Sequence, residues 1–139
     1  MPKSFYFYFR AVRYNEVEKY ILQKLEKELP SNLFYHNVHH TLDVRDAAER
    51  LAIMENLNAD EIILLKTTAL FHDAGFIYQY YDNEHLGVKM VCDILPSYGY
   101  SGVQITEISK LILSTSLPVN PKNLMERIIC DADLDYLGR

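Results

Sequence analysis

The sequence predicts an all-α domain, and three observations support this prediction. Apolar residues recur at helical spacing in six segments. Prolines and short polar turns separate these segments, and no two neighbouring segments alternate as paired strands would. With 139 residues, of which 49% are hydrophobic, the chain is long enough to form one domain with its own core. We therefore predict a single domain over residues 1–139, built as a compact bundle of about six helices.

The first predicted helix covers residues 14–29, where Val17, Ile21 and Leu25 mark one face and Pro30 stops the helix. The other predicted helices cover residues 38–55, 60–72, 83–95 and 102–114, and a last one starts near Lys122 and continues to the chain end. Gly75 is expected to stop the third helix. The aromatic run Phe5–Phe9 is expected to form an extended arm or a helical turn.

Charge and cysteine content restrict the function classes. The net charge of -5 and the lack of a basic stripe argue against binding to a nucleic-acid duplex. The aromatic run at the start is too short for a signal or membrane segment, so no membrane partner is expected. Cys92 and Cys130 stand alone in apolar patterns, which is typical of reduced thiols in an intracellular protein. A cytoplasmic location is therefore expected.

Three of the five histidines lie within five residues, at His36, His39 and His40. His40 shares its helix face with apolar residues at steps of four, seven, eight and eleven, namely Val44, Ala47, Ala48 and Leu51. His40 is therefore predicted to point inward, whereas His39 faces solvent. An inward histidine is either a hydrogen-bonded core residue or a ligand.

A second imidazole and a carboxylate are adjacent at His72-Asp73, near the end of the third helix. Adjacent helical residues diverge by about 100°, so they share one ion only if it lies at the helix end. The dipole at that end favours a cation. A His-Asp pair by itself is a weak signal of a metal site and is more often a surface pair.

The last helix contains two aspartates with opposite predicted orientations. Asp133 shares a face with Ile129, Cys130, Tyr136 and Leu137, and Asp131 shares a face with Arg127, Ile128, Leu134 and Asp135. Asp133 is therefore predicted to face the core. A buried carboxylate requires a metal or a cationic partner, for which Arg45 and Arg50 are the alternatives.

Three segments together resemble the HD-domain superfamily of metal-dependent phosphohydrolases, whose pattern is H…HD…D on an all-α core. They are Tyr35-His36-Asn37-Val38-His39-His40, Ala69-Leu70-Phe71-His72-Asp73-Ala74-Gly75 and Asp131-Ala132-Asp133. The first is similar to the Y-H-N-x-x-H motif of the branch that includes cyclic-nucleotide phosphodiesterases. The resemblance extends from about Tyr14 to Arg139.

The resemblance implies that one metal is bound by four residues, which are His40, His72, Asp73 and Asp133. The ion is a divalent Mn, Fe, Zn, Ni or Mg. Members with two metals carry further histidines, and the segment Leu113-Ser114-Thr115-Ser116 has none. Members commonly continue with further helices, so we expect that the domain is truncated or the sequence incomplete after Arg139.

The same comparison assigns roles around the metal. His36 would lie beside the substrate and protonate the leaving oxygen, a role that suits a histidine near neutral pH. Asp131 would orient the attacking water or a metal ligand. His85, with Glu84, would contact a phosphate or a water, or else lie on the surface.

The function implied is hydrolysis of a phosphate ester of a nucleotide or another small molecule by a metal-activated water. One alternative is a non-catalytic sensor module that binds a metal and a nucleotide. Another is a di-iron oxygenase, which iron content and oxygen uptake would distinguish.

Overall fold

A computed structural model describes residues 11–135, and these residues form six α-helices and no strand. The helices are α1 (Tyr14–Glu28), α2 (Val38–Met54), α3 (Ala59–Phe71), α4 (Asn83–Ile94), α5 (Gly102–Ser114) and α6 (Leu124–Leu134). Two 3-10 helices, Ala74–Ile77 and Leu95–Tyr98, lie before and after α4. The all-α prediction is confirmed, and the first five helices agree with it to within one residue at each end. The aromatic run Phe5–Phe9 lies outside the described residues.

Helix α3 is the centre of the bundle because it supplies side chains to both parts of the core. Leu65 and Ala69 are fully buried with the apolar faces of α2 and α6. Leu70 and Phe71 are fully buried with residues of α1, α4 and α5. The carboxyl end of α3 therefore lies between the two halves of the core, and the residue that follows it, His72, is buried there.

Helix α2 packs closely on α3 and α6 because its inner face is small. Val44, Ala47 and Ala48 are at most 1% exposed, as the helical pattern predicts. The start of α2 is fixed by Asn37, whose side chain accepts a hydrogen bond of 3.0 Å from the backbone N–H of His40. This cap sets the position of His40 in the first turn of the helix.

The last helix begins two residues later than predicted. Asn123 adopts extended backbone angles, and its side chain accepts a hydrogen bond of 2.9 Å from the backbone N–H of Glu126. Lys122 therefore lies before the cap, and the helix starts at Leu124. Its phase is unaffected by the shift, because Ile129 and Cys130 are still buried.

Gly75 does not stop α3, so the sequence-based reason for this glycine was wrong. Helix α3 ends at Phe71, and Gly75 lies within the first 3-10 helix. A Cβ atom at Gly75 would be 1.9 Å from the backbone oxygen of Asn83. The glycine is needed because the first residue of α4 packs directly against it.

None of the helices in residues 11–135 is long and apolar enough to cross a membrane.

Candidate metal centre

Four side chains from three helical elements meet at the carboxyl end of α3, and we call them the ligand ring. The ring consists of His40 on α2, His72 and Asp73 after α3, and Asp133 on α6. His40 Nε2 lies 3.0 Å from Asp133 Oδ1 and 3.5 Å from Asp73 Oδ2. His72 Nε2 lies 3.2 Å from Asp133 Oδ1 and 3.4 Å from Asp73 Oδ2. Nitrogen and oxygen therefore alternate around a closed ring.

The distances between neighbouring atoms of the ring are those found between neighbouring ligands of one metal ion. Ligand atoms at about 2.1 Å from an ion are about 3.0 Å apart in an octahedral site and about 3.4 Å apart in a tetrahedral one. The four edges of the ring, from 3.0 to 3.5 Å, cover this range. The mixture of two imidazoles and two carboxylates suits a transition metal such as Zn, Fe, Ni or Mn.

The backbone fixes which ring nitrogen of His72 would bind a metal. Its Nδ1 donates a hydrogen bond of 2.7 Å to the backbone oxygen of Ala69, one turn earlier. The neutral ring therefore has its lone pair on Nε2, the atom that faces both carboxylates. His72 is fully buried, so its orientation is held by packing as well.

The electrostatics of the cluster favour a cation. Burial acts to lower the pKa of His72, but the charges of Asp73 and Asp133 outweigh it and raise the pKa to about 10. Burial acts to raise the pKa of Asp133, but hydrogen bonds from His40 and His72 and their charges hold it well below its usual range. Two carboxylates in a largely buried site thus require positive charge, which a divalent ion supplies.

The backbone explains how two adjacent residues reach one point. His72 keeps helical angles (φ -61°, ψ -33°), whereas Asp73 departs from them (φ -108°, ψ 5°). This change at the helix end turns the carboxylate of Asp73 toward the imidazole of His72. The two side chains therefore meet at a helix end, which is where the sequence pattern required them to be if they share an ion.

His36 lies beside the ligand ring. Its Nδ1 donates a hydrogen bond of 2.8 Å to Asp73 Oδ2, and no described residue bonds to its Nε2. The imidazole stacks on Phe76, with 4.3 Å between ring centroids and 26° between planes. The packing fixes the ring while a quarter of the side chain remains exposed.

Tyr35 is a site residue that the sequence reasoning did not assign. Its hydroxyl donates a hydrogen bond of 3.3 Å to the backbone oxygen of Asp133. Its ring centroid is 4.4 Å from that of His40 and 4.6 Å from that of His36. Tyr35 therefore ties the entry to α2 to the end of α6. The sequence signal that could have identified Tyr35 as a site residue is its place in the Y-H-N motif, next to His36.

The ligand ring opens into a cleft of about 420 Å³, which is within the range of roughly 300–1,000 Å³ for ligand pockets. Aromatic residues of the cleft are Tyr35, Phe76, Tyr80 and Tyr81. Its acidic residues are Asp73, Asp82, Glu84 and Asp133. Thr115, Ser116 and Leu117 line it from the segment after α5, where the sequence lacks a further histidine.

Two residues expected at the site are not brought to it. Asp131 is exposed on α6 and does not line the cleft. It precedes Asp133 by two residues, or about 200° around the helix axis, so the two carboxylates point apart. His85 is exposed in the first turn of α4, and its neighbour Glu84 lines the cleft instead. The orienting role expected for Asp131 and the substrate contact expected for His85 therefore have no structural support.

The salt-bridge alternative for Asp133 is not what the structure shows. Arg45 pairs with Glu18 and Asp46, and Arg50 pairs with Asp135 at 3.0 Å. The described partners of the Asp133 carboxylate are the two imidazoles of the ligand ring.

Comparisons with known proteins agree with this geometry. A family model of the HD domain matches residues 37–135, which include every residue of the ligand ring. The crystal structure of a predicted HD superfamily hydrolase from an uncultured Thermotogales bacterium is similar, with 26% identity and a TM-score of 0.67. That match covers 84% of this chain and 66% of the other, so this chain spans less than two thirds of its relative. Comparison with curated proteins gave no match. The chain belongs to the HD domain family.

Proposed function

We propose that this protein is a phosphohydrolase that uses one divalent metal to cleave the phosphate ester of a small molecule such as a nucleotide. The observation that carries the proposal is the position of His36. This imidazole is hydrogen-bonded to Asp73 of the ligand ring and borders the cleft in which a substrate would lie. A proton donor next to a metal-binding cluster is what ester hydrolysis requires.

A metal held by the ligand ring would polarise the phosphoryl group and make a water molecule a better nucleophile at neutral pH. The protein side chains contribute positioning. His72 is fixed by Ala69, His40 by the cap on α2, and Asp73 by His36. These contacts keep the four ligand atoms in place without a large rearrangement on binding.

His36 acts as the general acid in this proposal. The attacking water would lose a proton to solvent and react as hydroxide. Its oxygen forms a new bond to phosphorus while the bond from phosphorus to the ester oxygen breaks, and the electron pair of the broken bond remains on the ester oxygen. Protonated His36 gives its Nε2 proton to this oxygen while Nδ1 stays hydrogen-bonded to Asp73. The stacking on Phe76 holds the imidazole plane during the transfer.

We infer one metal rather than two. The groups in residues 11–135 that could hold an ion are His36, His40 and Asp73, and His40, His72 and Asp133. The two groups share His40, so they describe one cluster. A second ion would need ligands of its own beyond this cluster, and His85 lies on the surface.

The proposal is tested by metal analysis followed by a screen of phosphate esters in the presence of Mn, Fe, Zn, Ni or Mg. We expect about one bound metal per chain and metal-dependent release of phosphate. Full metal loading with no turnover of any phosphate ester would contradict the proposal and favour the sensor alternative. Oxygen uptake with two irons per chain would favour the oxygenase.

A further inference from the structure

We propose that the mouth of the cleft selects a monophosphate ester whose leaving group carries a planar ring, and that it excludes polyphosphates. This inference rests on the proposed function, because it places the phosphoryl group at the ligand ring. Tyr80 and Tyr81 would stack on the planar ring of the leaving group. Asp82 and Glu84 would repel additional phosphates.

The aromatic part of the cleft is continuous from His36 outward. The centroid of His36 lies 4.3 Å from that of Phe76, which lies 5.3 Å from that of Tyr80. Tyr80 in turn lies 5.4 Å from Tyr81. A substituent on a phosphoryl group next to His36 would therefore meet aromatic side chains along the cleft.

The outer rings of this series are exposed, although large aromatic side chains usually bury most of their surface. Tyr80 is 58% exposed and Tyr81 is 83% exposed, and both line the cleft. Within their segment, Gln79 Nε2 donates a hydrogen bond of 2.6 Å to the backbone oxygen of Tyr81, and Tyr80 packs against Phe76. Exposed rings that line a cleft offer the kind of surface on which a planar ring stacks.

The charge of the cleft argues against a polyphosphate. Asp82 and Glu84 line its mouth, in addition to the two carboxylates of the ligand ring. No lysine or arginine in residues 11–135 lines the cleft. The positive charges of one metal and a protonated His36 can balance the negative charges of the ligand ring and of one phosphoryl group. Further phosphates would face the carboxylates of Asp82 and Glu84.

The backbone turns sharply where the acidic residues begin. Asp82 has φ 55° and ψ 30°, in the left-handed region, and its side chain makes no capping hydrogen bond to α4. Asn83 is 3% exposed and lines the cleft, and its Nδ2 has no hydrogen-bond partner among the described residues. A strained residue and an unsatisfied amide next to a cleft are features that recur at binding sites.

The ring contact is tested by equilibrium binding to the metal-loaded protein. The probes are the phosphonate analogues of adenosine 5′-monophosphate and of ribose 5-phosphate, in which a methylene group prevents cleavage. We expect the analogue with the base to bind about tenfold more tightly, and Tyr80→Leu to remove most of this preference. Tyr78→Leu is the matched control, because Tyr78 is 59% exposed in the same segment but does not line the cleft. The Tyr78→Leu variant should keep the wild-type preference for the analogue with the base.

The charge contribution is tested with Glu84→Gln and the corresponding triphosphate analogue. We expect the wild type to prefer the monophosphate analogue, and Glu84→Gln to reduce this preference about threefold at low ionic strength. Asp93→Asn removes the same charge from the exposed end of α4 and should leave the preference as it is.

Failure of this inference is distinguishable from failure of the proposed function. Equal binding of the two monophosphate analogues, together with turnover of simple phosphate esters, would overturn the inference and leave the function standing. Tighter binding of the analogue with the base, without turnover of any ester, would support the inference and contradict the proposed function. Tighter binding of the triphosphate analogue by the wild type would also overturn the inference.

Discussion

His40 Nε2 lies 3.0 Å from Asp133 Oδ1, although 93 residues separate the two along the chain. The contact joins α2 to α6 and closes the ligand ring. A metal bound here would connect the second helix, the end of the third and the last one. Metal binding and folding are therefore expected to be thermodynamically coupled.

We expect each of the four residues of the ligand ring to be needed for metal retention. Replacing any one with alanine removes a ligand atom and leaves the charges of the others unbalanced. The measurement is bound metal per chain, with the melting temperature recorded with and without metal. Metal should raise the melting temperature of the wild type and have little effect on these variants.

His39→Ala is the control for the metal-retention variants, because His39 is exposed and lies in the same motif, next to His40. It should keep the full complement of metal. If two or more of the ligand-ring variants remain folded and also keep a full complement, the assignment of the ring is wrong.

A second prediction distinguishes the two aspartates of α6. Asp133→Asn removes a full negative charge next to the ion, so the protein should lose its metal. Asp131→Asn should keep both metal and turnover, because Asp131 is exposed and outside the cleft. Metal titration of both variants is the measurement. Tight binding by Asp133→Asn combined with weak binding by Asp131→Asn would show that the phase of α6 was misjudged.

A third prediction concerns the general acid. His36→Ala should keep the metal and the fold but lower turnover by roughly two to four orders of magnitude. The loss should be smaller for substrates with good leaving groups such as nitrophenolate, since these leave without protonation. Equal losses for good and poor leaving groups would indicate that His36 binds or positions the substrate instead.

A fourth prediction tests the packing of Gly75 against α4. Gly75→Ala places a methyl group against the backbone of Asn83, so it should destabilise the fold by about 1–3 kcal/mol or more. Gly102→Ala is the control, because a Cβ at Gly102 meets nothing within 4 Å. Thermal unfolding of both variants is the measurement. Equal melting temperatures would mean that the start of α4 moves freely to make room.

The sequence predicted the helices and the inward direction of His40 and Asp133 because these depend on local periodicity, whereas the grouping of all four ligand-ring residues was implied by the family resemblance. His40 follows the apolar stripe of α2, and Asp133 follows that of α6, so their inward direction could be inferred from phase alone. Tyr136 and Leu137, which were predicted to share the face of Asp133, lie outside the described residues.

Other features could not be predicted because they depend on contacts between distant segments. The need for Gly75 arises from Asn83, which approaches it only in the folded bundle. The aromatic part of the cleft depends on how the segment before α4 folds back toward His36. Asp131 is a different case: its orienting role was taken from the terminal motif, although the predicted phase of the last helix already placed it on the face opposite Asp133.

We expect one metal in the ligand ring to support phosphate-ester hydrolysis. The most direct measurement is phosphate release by metal-free protein during stepwise addition of a divalent metal. We predict no turnover without metal, and a rise in rate that ends at about one equivalent per chain. Turnover at the full rate without metal, or a rise that continues to two equivalents, would contradict the account.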